Sequence, residues 1–173
     1  MILIGDVWMS YTTYTEIFIK ELYNRLGILT PQNLDFQTIA TQLCIQVFYW
    51  KDSSQALFLK NHAYIFLNEV LTKQQQWQDF CHELGHVLLH TGNQPRMYPL
   101  FREYQEYKAN NFMYHACVPS FMLDELEHSD LTVENVQRLF NVEYDFAFKR
   151  LEQYRRKKLL MLNWNSQNDN SIL

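Results

Sequence analysis

The chain has 173 residues, of which 47% are hydrophobic and 20% are charged, with four glycines and four prolines. A chain of this length can bury roughly 70% of its unfolded surface, and this composition excludes a disordered, repetitive or fibrous protein. The net charge of −4 gives no general attraction to nucleic acid. We therefore expect one domain over residues 1–173.

The sequence lacks the usual marks of export or membrane insertion. Residues 1–6 have no basic start and no long apolar run, and no stretch approaches the roughly 20 apolar residues of a membrane span. Cys44, Cys81 and Cys117 are odd in number and contain no Cys-x-x-Cys pair, which is typical of buried, reduced cysteines. We expect a cytoplasmic protein with no membrane partner.

The first half of the chain predicts two helices followed by strands. Apolar residues at three- and four-residue spacing predict a helix over residues 12–26, with Gly27 after its end, and a short helix over residues 34–43. Three short apolar runs follow at residues 45–50, 56–59 and 63–67, separated by polar turns. These runs predict a small, mostly antiparallel sheet, and the fold class is therefore α+β.

The pattern His-Glu-x-x-His lies in a predicted helix that starts near Lys73. His82 and His86 are one turn apart, so both imidazoles can reach one metal ion. Glu83 lies beside that ion, where its carboxylate can accept a proton from a water that the ion activates. Gly85 costs a helix roughly 1 kcal/mol relative to alanine, which indicates that another backbone or a substrate comes close there. A surface histidine pair is the alternative, and it leaves Gly85 unexplained.

A catalytic zinc usually has three protein ligands and one open position. An extended motif with a third histidine is excluded, because Leu89 and Gly92 occupy the positions of its glycine and histidine. His90 lies about 12 Å from His82 along the helix axis, too far to share one ion, and is expected to end the helix.

The next predicted helix, over residues 99–116, offers two candidates for the third ligand. Glu103, Glu106 and Asn110 follow one another at three and four residues and therefore share a helix face. Spacing alone leaves Glu106 and Glu103 open, and both could instead be ordinary surface charges. Asn110 could accept the ring N–H of a ligating histidine and so fix its orientation from the second coordination shell.

Residues 121–160 predict a helical C-terminal segment. Two short helices flank residues 141–143, an arrangement compatible with a helix-turn-helix. Six of the fifteen basic residues concentrate here: Lys149, Arg150, Arg155, Arg156, Lys157 and Lys158. A basic, solvated helix end is commoner than a DNA contact, so we do not expect DNA as the partner, although the run could dock an acidic one. Residues 161–173 are expected to form a frayed tail.

Three segments together resemble the ImmA/IrrE family of bacterial metallopeptidases. They are Phe-Cys-His-Glu-Leu-Gly-His-Val-Leu-Leu-His at 80–90, Gln-Glu-Tyr-Lys-Ala-Asn-Asn-Phe at 105–112 and Val-Pro at 118–119. The resemblance is most specific over residues 77–120. It implies a gluzincin-type zinc endopeptidase with a zincin-like core over residues 1–120. His82, His86 and Glu106 would bind one Zn²⁺, Glu83 would be the catalytic carboxylate, and Asn110 stands where related zinc peptidases often carry aspartate.

The resemblance also implies a substrate class. Members of this family are commonly paired with a helix-turn-helix repressor of a prophage or mobile element, which they cleave to release the silenced genes. One alternative is a zinc-bearing regulator that binds a repressor or DNA through residues 131–158 without cutting. Another is a structural zinc site with Glu103 or Cys81 as a fourth ligand. The sequence does not choose an oxyanion-stabilising residue among Tyr98, Tyr114 and His115, and it does not fix the oligomeric state.

Overall fold

The computed structural model describes residues 13–60, 62–89 and 98–169, which form an α+β fold with helices packed on one face of a three-stranded sheet. In chain order the elements are α1 (Tyr14–Arg25), α2 (Phe36–Gln42), β1 (Gln46–Trp50), β2 (Gln55–Leu59), β3 (His62–Asn68), α3 (Lys73–Leu89), α4 (Pro99–Cys117), α5 (Ser120–Leu123), α6 (Val133–Phe140) and α7 (Tyr144–Asp169). The predicted fold class is confirmed. Within the described ranges, none of the helices has the length and apolar character that crossing a membrane requires.

The starts of α1 and α3 are fixed by local hydrogen bonds. Glu16 N–H donates to Thr13 Oγ1 at 3.3 Å, and the Glu16 carboxylate accepts the N–H of Thr13 at 2.8 Å. Thr72 and Gln75 exchange the same pair of bonds before α3, at 3.3 and 3.1 Å. Each pair is a capping box, which satisfies two helix donors at once. The sequence prediction places both starts within two residues.

The sheet is mixed rather than mostly antiparallel. The strand order is β1-β3-β2, with β3 antiparallel to β2 and parallel to β1. The chain forms a hairpin from β2 to β3, and β3 then lies between the two earlier strands. Alternating polarity along a strand says which face is buried but not which neighbour the strand pairs with, so this order was not predictable.

Helix α3 lies between the sheet and α4, and the two helices approach closely at Gly85. A Cβ atom at this position would lie 3.2 Å from Ala109 Cα and 3.2 Å from the Phe112 side chain. Ala109 and Phe112 are fully buried at this contact. The prediction that Gly85 admits another backbone is confirmed, and that backbone belongs to α4.

The C-terminal helices are joined to α3 by side-chain hydrogen bonds. Gln75 Nε2 and Gln78 Nε2 each donate to the Glu143 carboxylate at 2.9 Å, and Glu143 N–H donates to Gln78 Oε1 at 3.0 Å. Glu143 lies in the three-residue connection between α6 and α7, which begins with Asn141 at a left-handed φ of 51°. The break between the two helices was therefore predicted in the right place.

Two sequence expectations are wrong in this structure. Helix α7 continues to Asp169, so residues 161–169 are helical and not a frayed tail. Lysine, leucine and methionine have high helix propensity and occupy residues 157–162, where neither glycine nor proline ends the helix. Cys81 and Cys117 are buried as expected, but Cys44 is exposed, because it occupies a left-handed turn at φ 57° just before the buried Ile45.

Candidate metal centre

The structure brings His82, His86 and Glu106 together, from α3 and from α4. The two Nε2 atoms of the histidines are 3.1 Å apart. The Glu106 carboxylate oxygens lie 3.3 Å from His82 Nε2 and 3.5 Å from His86 Nε2. The two histidines are four positions apart, which is about one turn of α3, and the close packing at Gly85 sets the distance to α4.

These three distances fit a shared metal ion. Four ligand atoms arranged tetrahedrally at about 2.0–2.1 Å from a zinc ion lie about 3.3 Å from one another. The observed separations of 3.1, 3.3 and 3.5 Å match such an arrangement with one position left over. Two imidazoles and a carboxylate are also the donor set of a hydrolytic zinc centre. The donor groups are therefore suited to zinc.

Glu83 is buried beside this group. Only 8% of its surface is exposed, and burial raises the pKa of its carboxyl to about 7, with smaller upward contributions from the charges of Asp79 and Glu106. A smaller, opposite contribution comes from the backbone of Ala56 in β2, which lies near this carboxylate. A carboxyl group with a pKa near 7 can both accept and release a proton near neutral pH.

The other predicted site residues lie outside the metal group. Glu103 is exposed one turn before Glu106 and does not belong to the cluster of possible ligands that the described residues contain. Asn110 is also exposed, and in the described part of the chain no hydrogen bond joins it to His82 or His86. Its role in orienting a metal-binding histidine stays a prediction. The expectation that His90 ends α3 lies outside the described residues.

The three candidates for stabilising an oxyanion are differently placed. The Tyr114 ring stacks on Phe146, with centroids 4.6 Å apart, and His115 Nδ1 accepts a hydrogen bond from Arg150. His115 follows Glu106 by nine residues on one helix, roughly 13 Å along the axis. Both residues therefore belong to the packing of the C-terminal helices. Tyr98 is exposed at the start of α4.

One feature of the site could not be read from the sequence, namely the position of β2 beside Glu83. Ser54, just before β2, donates its hydroxyl to the Asp79 carboxylate, which lies four residues before Glu83 on α3. Strand β2 therefore runs along the part of α3 that carries Glu83, and it is an edge strand of the sheet. No side-chain pattern reveals which strand takes the edge.

The basic residues of the C-terminal segment mostly bind within the chain. Arg150 is only 1% exposed and donates to the Val118 carbonyl at 3.0 Å and to Ser120 Oγ at 2.7 Å. Lys157 pairs with Glu16 of α1, Lys158 pairs with Asp124, and Arg155 donates to the Leu131 carbonyl. These contacts dock α7 on the rest of the domain.

Comparison with known proteins gives one consistent result. Residues 39–152 match the Peptidase_M78 family, described as the IrrE N-terminal-like domain. The chain is 41% identical over 152 residues to the phage-like element PBSX protein XkdA of Bacillus subtilis (strain 168), covering 86% of this chain and 77% of that protein. It is 34% identical over 153 residues to a protein of the same organism titled "Uncharacterized protein YqaB", covering 86% and 89%. The chain therefore belongs to the Peptidase_M78 family, a metallopeptidase type, as the ImmA/IrrE resemblance of its motifs predicted.

Proposed function

We propose that this chain is a zinc-dependent endopeptidase that cleaves a helix-turn-helix repressor of a prophage or other mobile element. The observation that carries the proposal is the convergence of His82, His86 and Glu106 at the spacing of a tetrahedral centre, with Glu83 buried beside it. Family membership supports the peptidase activity. The phage-like element in the name of one relative supports the genetic setting.

The side chains around the centre divide the chemistry between them. When bound, zinc acts as a Lewis acid that polarises the scissile carbonyl and lowers the pKa of water toward about 7. His82, His86 and Glu106 would hold the ion and leave one tetrahedral position open. Glu83 would accept a proton from the attacking water and deliver it to the leaving amine.

Strand β2 is the proposed substrate-binding strand. It is an edge strand, and its unpaired backbone groups can form hydrogen bonds with an extended peptide segment. Because β2 runs along the part of α3 that carries Glu83, a peptide paired with its free edge would pass beside the metal group. The alternating direction of its backbone groups would also hold the scissile bond at a defined register.

Cleavage can be tested with the helix-turn-helix regulators encoded on the element that carries the gene. Each purified regulator is incubated with the zinc-loaded protein or with its Glu83→Gln variant, and the products are identified by intact mass. We expect wild type to cut one regulator at a defined bond and the variant to bind equal zinc without cutting. Cleavage by the variant, or none by a zinc-loaded wild type, would contradict the proposal.

The same variant separates the non-proteolytic alternative. A regulator that acts through residues 131–158 by binding alone needs no proton acceptor at position 83. Derepression of the element's genes should therefore survive Glu83→Gln if binding is the mechanism, and should disappear with cleavage if proteolysis is. A reporter gene under the element's own promoter measures this in cells.

A further inference from the structure

The face of the sheet that points away from α3 is lined by apolar side chains. The strand register places six of them on this face, which we call the outer aromatic face: Phe48, Trp50, Leu57, Leu59, Tyr64 and Phe66. On the opposite face, Ile65 and Leu67 are fully buried against the helices. On the same side of the sheet, polar side chains occupy strand ends around this face: Gln46, Gln55, His62 and Asn68.

The aromatic rings on this face are packed against one another and remain accessible. Phe48 stacks on Phe66 with centroids 5.4 Å apart, and Trp50 lies 5.2 Å from the same Phe66 ring. Phe48 is 43% exposed, and Leu57 and Leu59 are 39% and 54% exposed. Rings that already contact each other lose little conformational freedom on binding, so the face is preorganised for an apolar partner.

The area of this face limits what can bind there. With about 150–250 Å² for a fully exposed side chain of this size, these three fractions leave about 270 Å², and the partly exposed Trp50, Tyr64 and Phe66 bring the apolar surface to roughly 300–500 Å². Contiguous apolar patches of this size on single proteins are often functional. A stable complex between two proteins buries about 800 Å² on each partner, so this face alone is too small to hold a second copy of the chain. The face therefore suits a partner that also binds to a second surface of this chain.

Strand β2 supplies that second place. It is the edge strand that runs along the part of α3 that carries Glu83, and Leu57 and Leu59 point to the outer aromatic face. A peptide strand paired with β2 would extend the sheet, and every second side chain of the peptide would lie on the same face, beside these two leucines. The edge and the face are thus parts of one surface.

We propose that the outer aromatic face is the specificity surface of the enzyme and binds apolar side chains of a substrate segment paired with β2. The inference rests on the proposed function, because it takes β2 as the substrate strand. It assigns the substrate class as an extended segment with apolar residues at alternate positions. The backbone pairing supplies the register, and the aromatic rings and leucines select the side chains.

The test uses binding rather than cleavage. Zinc-loaded Glu83→Gln protein is immobilised and exposed to a randomised nonapeptide library, and the retained peptides are sequenced by mass spectrometry. We expect enrichment of leucine, phenylalanine and tyrosine at positions two residues apart. The double variant Leu57→Lys, Leu59→Lys in the same background should retain these peptides at least tenfold less and should enrich acidic residues instead.

A matched control is Leu160→Lys, which makes the same exchange at an exposed leucine of α7. It should retain the same peptides as the parent, and all three proteins should bind equal zinc. Absence of retention, or equal retention by the double variant, would overturn the proposal. A dimer in sedimentation that the double variant separates would assign the face to a second copy instead. Retention by Glu83→Gln without cleavage by wild type would refute the peptidase and leave the docking surface standing.

Discussion

At the scale of single residues, the position of one carboxylate around α4 decides the metal group. Glu103 and Glu106 are three residues apart, yet only the oxygens of Glu106 lie within 3.5 Å of the imidazole nitrogens. Three residues along an ideal helix correspond to a rise of about 4.5 Å and to a side-chain direction that differs by about 60°. This difference is enough to leave Glu103 in solvent. A candidate metal ligand and an ordinary surface charge therefore share one helix face.

This difference predicts unequal effects on zinc affinity. Glu106→Ala removes one of three donors and should weaken zinc binding at least a hundredfold, beyond the 10–100-fold that is typical of outer-shell changes. Glu103→Ala is the matched control and should change affinity less than twofold. Competition with a chromophoric chelator measures both. Similar losses in the two variants would show that the third donor is not Glu106.

Gly85 gives a second prediction at this scale, in which two effects oppose each other. Alanine at position 85 would favour the helix by roughly 1 kcal/mol. Its Cβ would however lie 3.2 Å from Ala109 Cα, so the backbone of α4 would have to move. Because overpacking of this kind typically costs 1–3 kcal/mol, we expect Gly85→Ala to lower the free energy of unfolding and to weaken zinc binding, since Glu106 moves with α4. Chemical denaturation and zinc titration measure these two changes, and a more stable variant with unchanged affinity would show that the contact is loose.

At the scale of elements, the connection between α6 and α7 is part of the core and not a free recognition module. Glu143 receives two amide donors from α3 and donates its own N–H back to Gln78. The start of α7, which would enter a groove in a DNA-binding helix-turn-helix, is therefore held against α3, the helix that carries His82 and His86. This arrangement supports a structural role for the segment.

Removal of this bridge should destabilise the domain. Glu143→Ala leaves the side chain of Gln78, which is 8% exposed, without its carboxylate partner. Each hydrogen bond to a charged group contributes about 1.5–3 kcal/mol, so we expect a loss of roughly 2–4 kcal/mol in urea denaturation. Glu152→Ala provides the comparison, because Glu152 forms only an exposed pair with Arg155 and should cost less than about 1 kcal/mol. Equal losses would mean that α7 is docked by its apolar face alone.

The elements and the metal ligands differ in how far the sequence predicts them. Helical spacing located α1, α3 and α4 to within two residues, because periodic burial and capping are local properties. His82, Glu83 and His86 followed from position on one helix. The pairing of β1 with β3 and the position of β2 beside Glu83 depend on which segments become neighbours. That choice is made by packing between distant segments, and no local pattern contains it.

The third candidate ligand was only partly predictable, because the sequence left both Glu106 and Glu103 open. Spacing placed both on the right helix face, and only the family resemblance favoured Glu106. In the structure, the close approach at Gly85 brings one turn of α4 to the level of the histidines. A glycine in a predicted helix was the available signal for that contact, but it did not indicate which residue of the partner helix would face it.

At the scale of the whole molecule, a buried polar network joins the first helix to the last. The Glu16 carboxylate accepts hydrogen bonds from Ser120 and Lys157, and Arg150 donates to Ser120 and His115. Burial raises the pKa of Glu16, but its bonds to Lys157, Ser120 and Thr13 outweigh that effect and bring it to about 2. Burial and the charge of Arg150 lower the pKa of His115 to about 3. The folded protein therefore holds a carboxylate and a neutral imidazole here across the physiological range.

Both shifts predict a loss of stability on acidification. In the unfolded chain His115 takes up a proton below about pH 6.5, whereas in the folded protein it stays neutral until about pH 3. Between these two pH values, acidification therefore lowers the free energy of unfolding by up to about 1.4 kcal/mol per pH unit for one site. Glu16 adds the same effect between pH 4.5 and about 2. Glu83 opposes it in the metal-free protein, because its raised pKa makes the folded state the better proton acceptor between pH 4.5 and about 7.

A difference measurement isolates His115 from these other groups. We expect the free energy of unfolding of wild type to fall more steeply than that of His115→Gln as the pH is lowered from 6 to 5, by about 1 kcal/mol. Glutamine keeps an acceptor for Arg150 but has no titrating group, and Glu83 contributes equally to both proteins. Urea denaturation of the metal-free proteins at pH 7, 6 and 5 gives the two slopes. Equal slopes for the two proteins would mean that His115 takes up its proton in the folded protein over the same pH range as in the unfolded chain. The buried network would then carry an additional positive charge at pH 5.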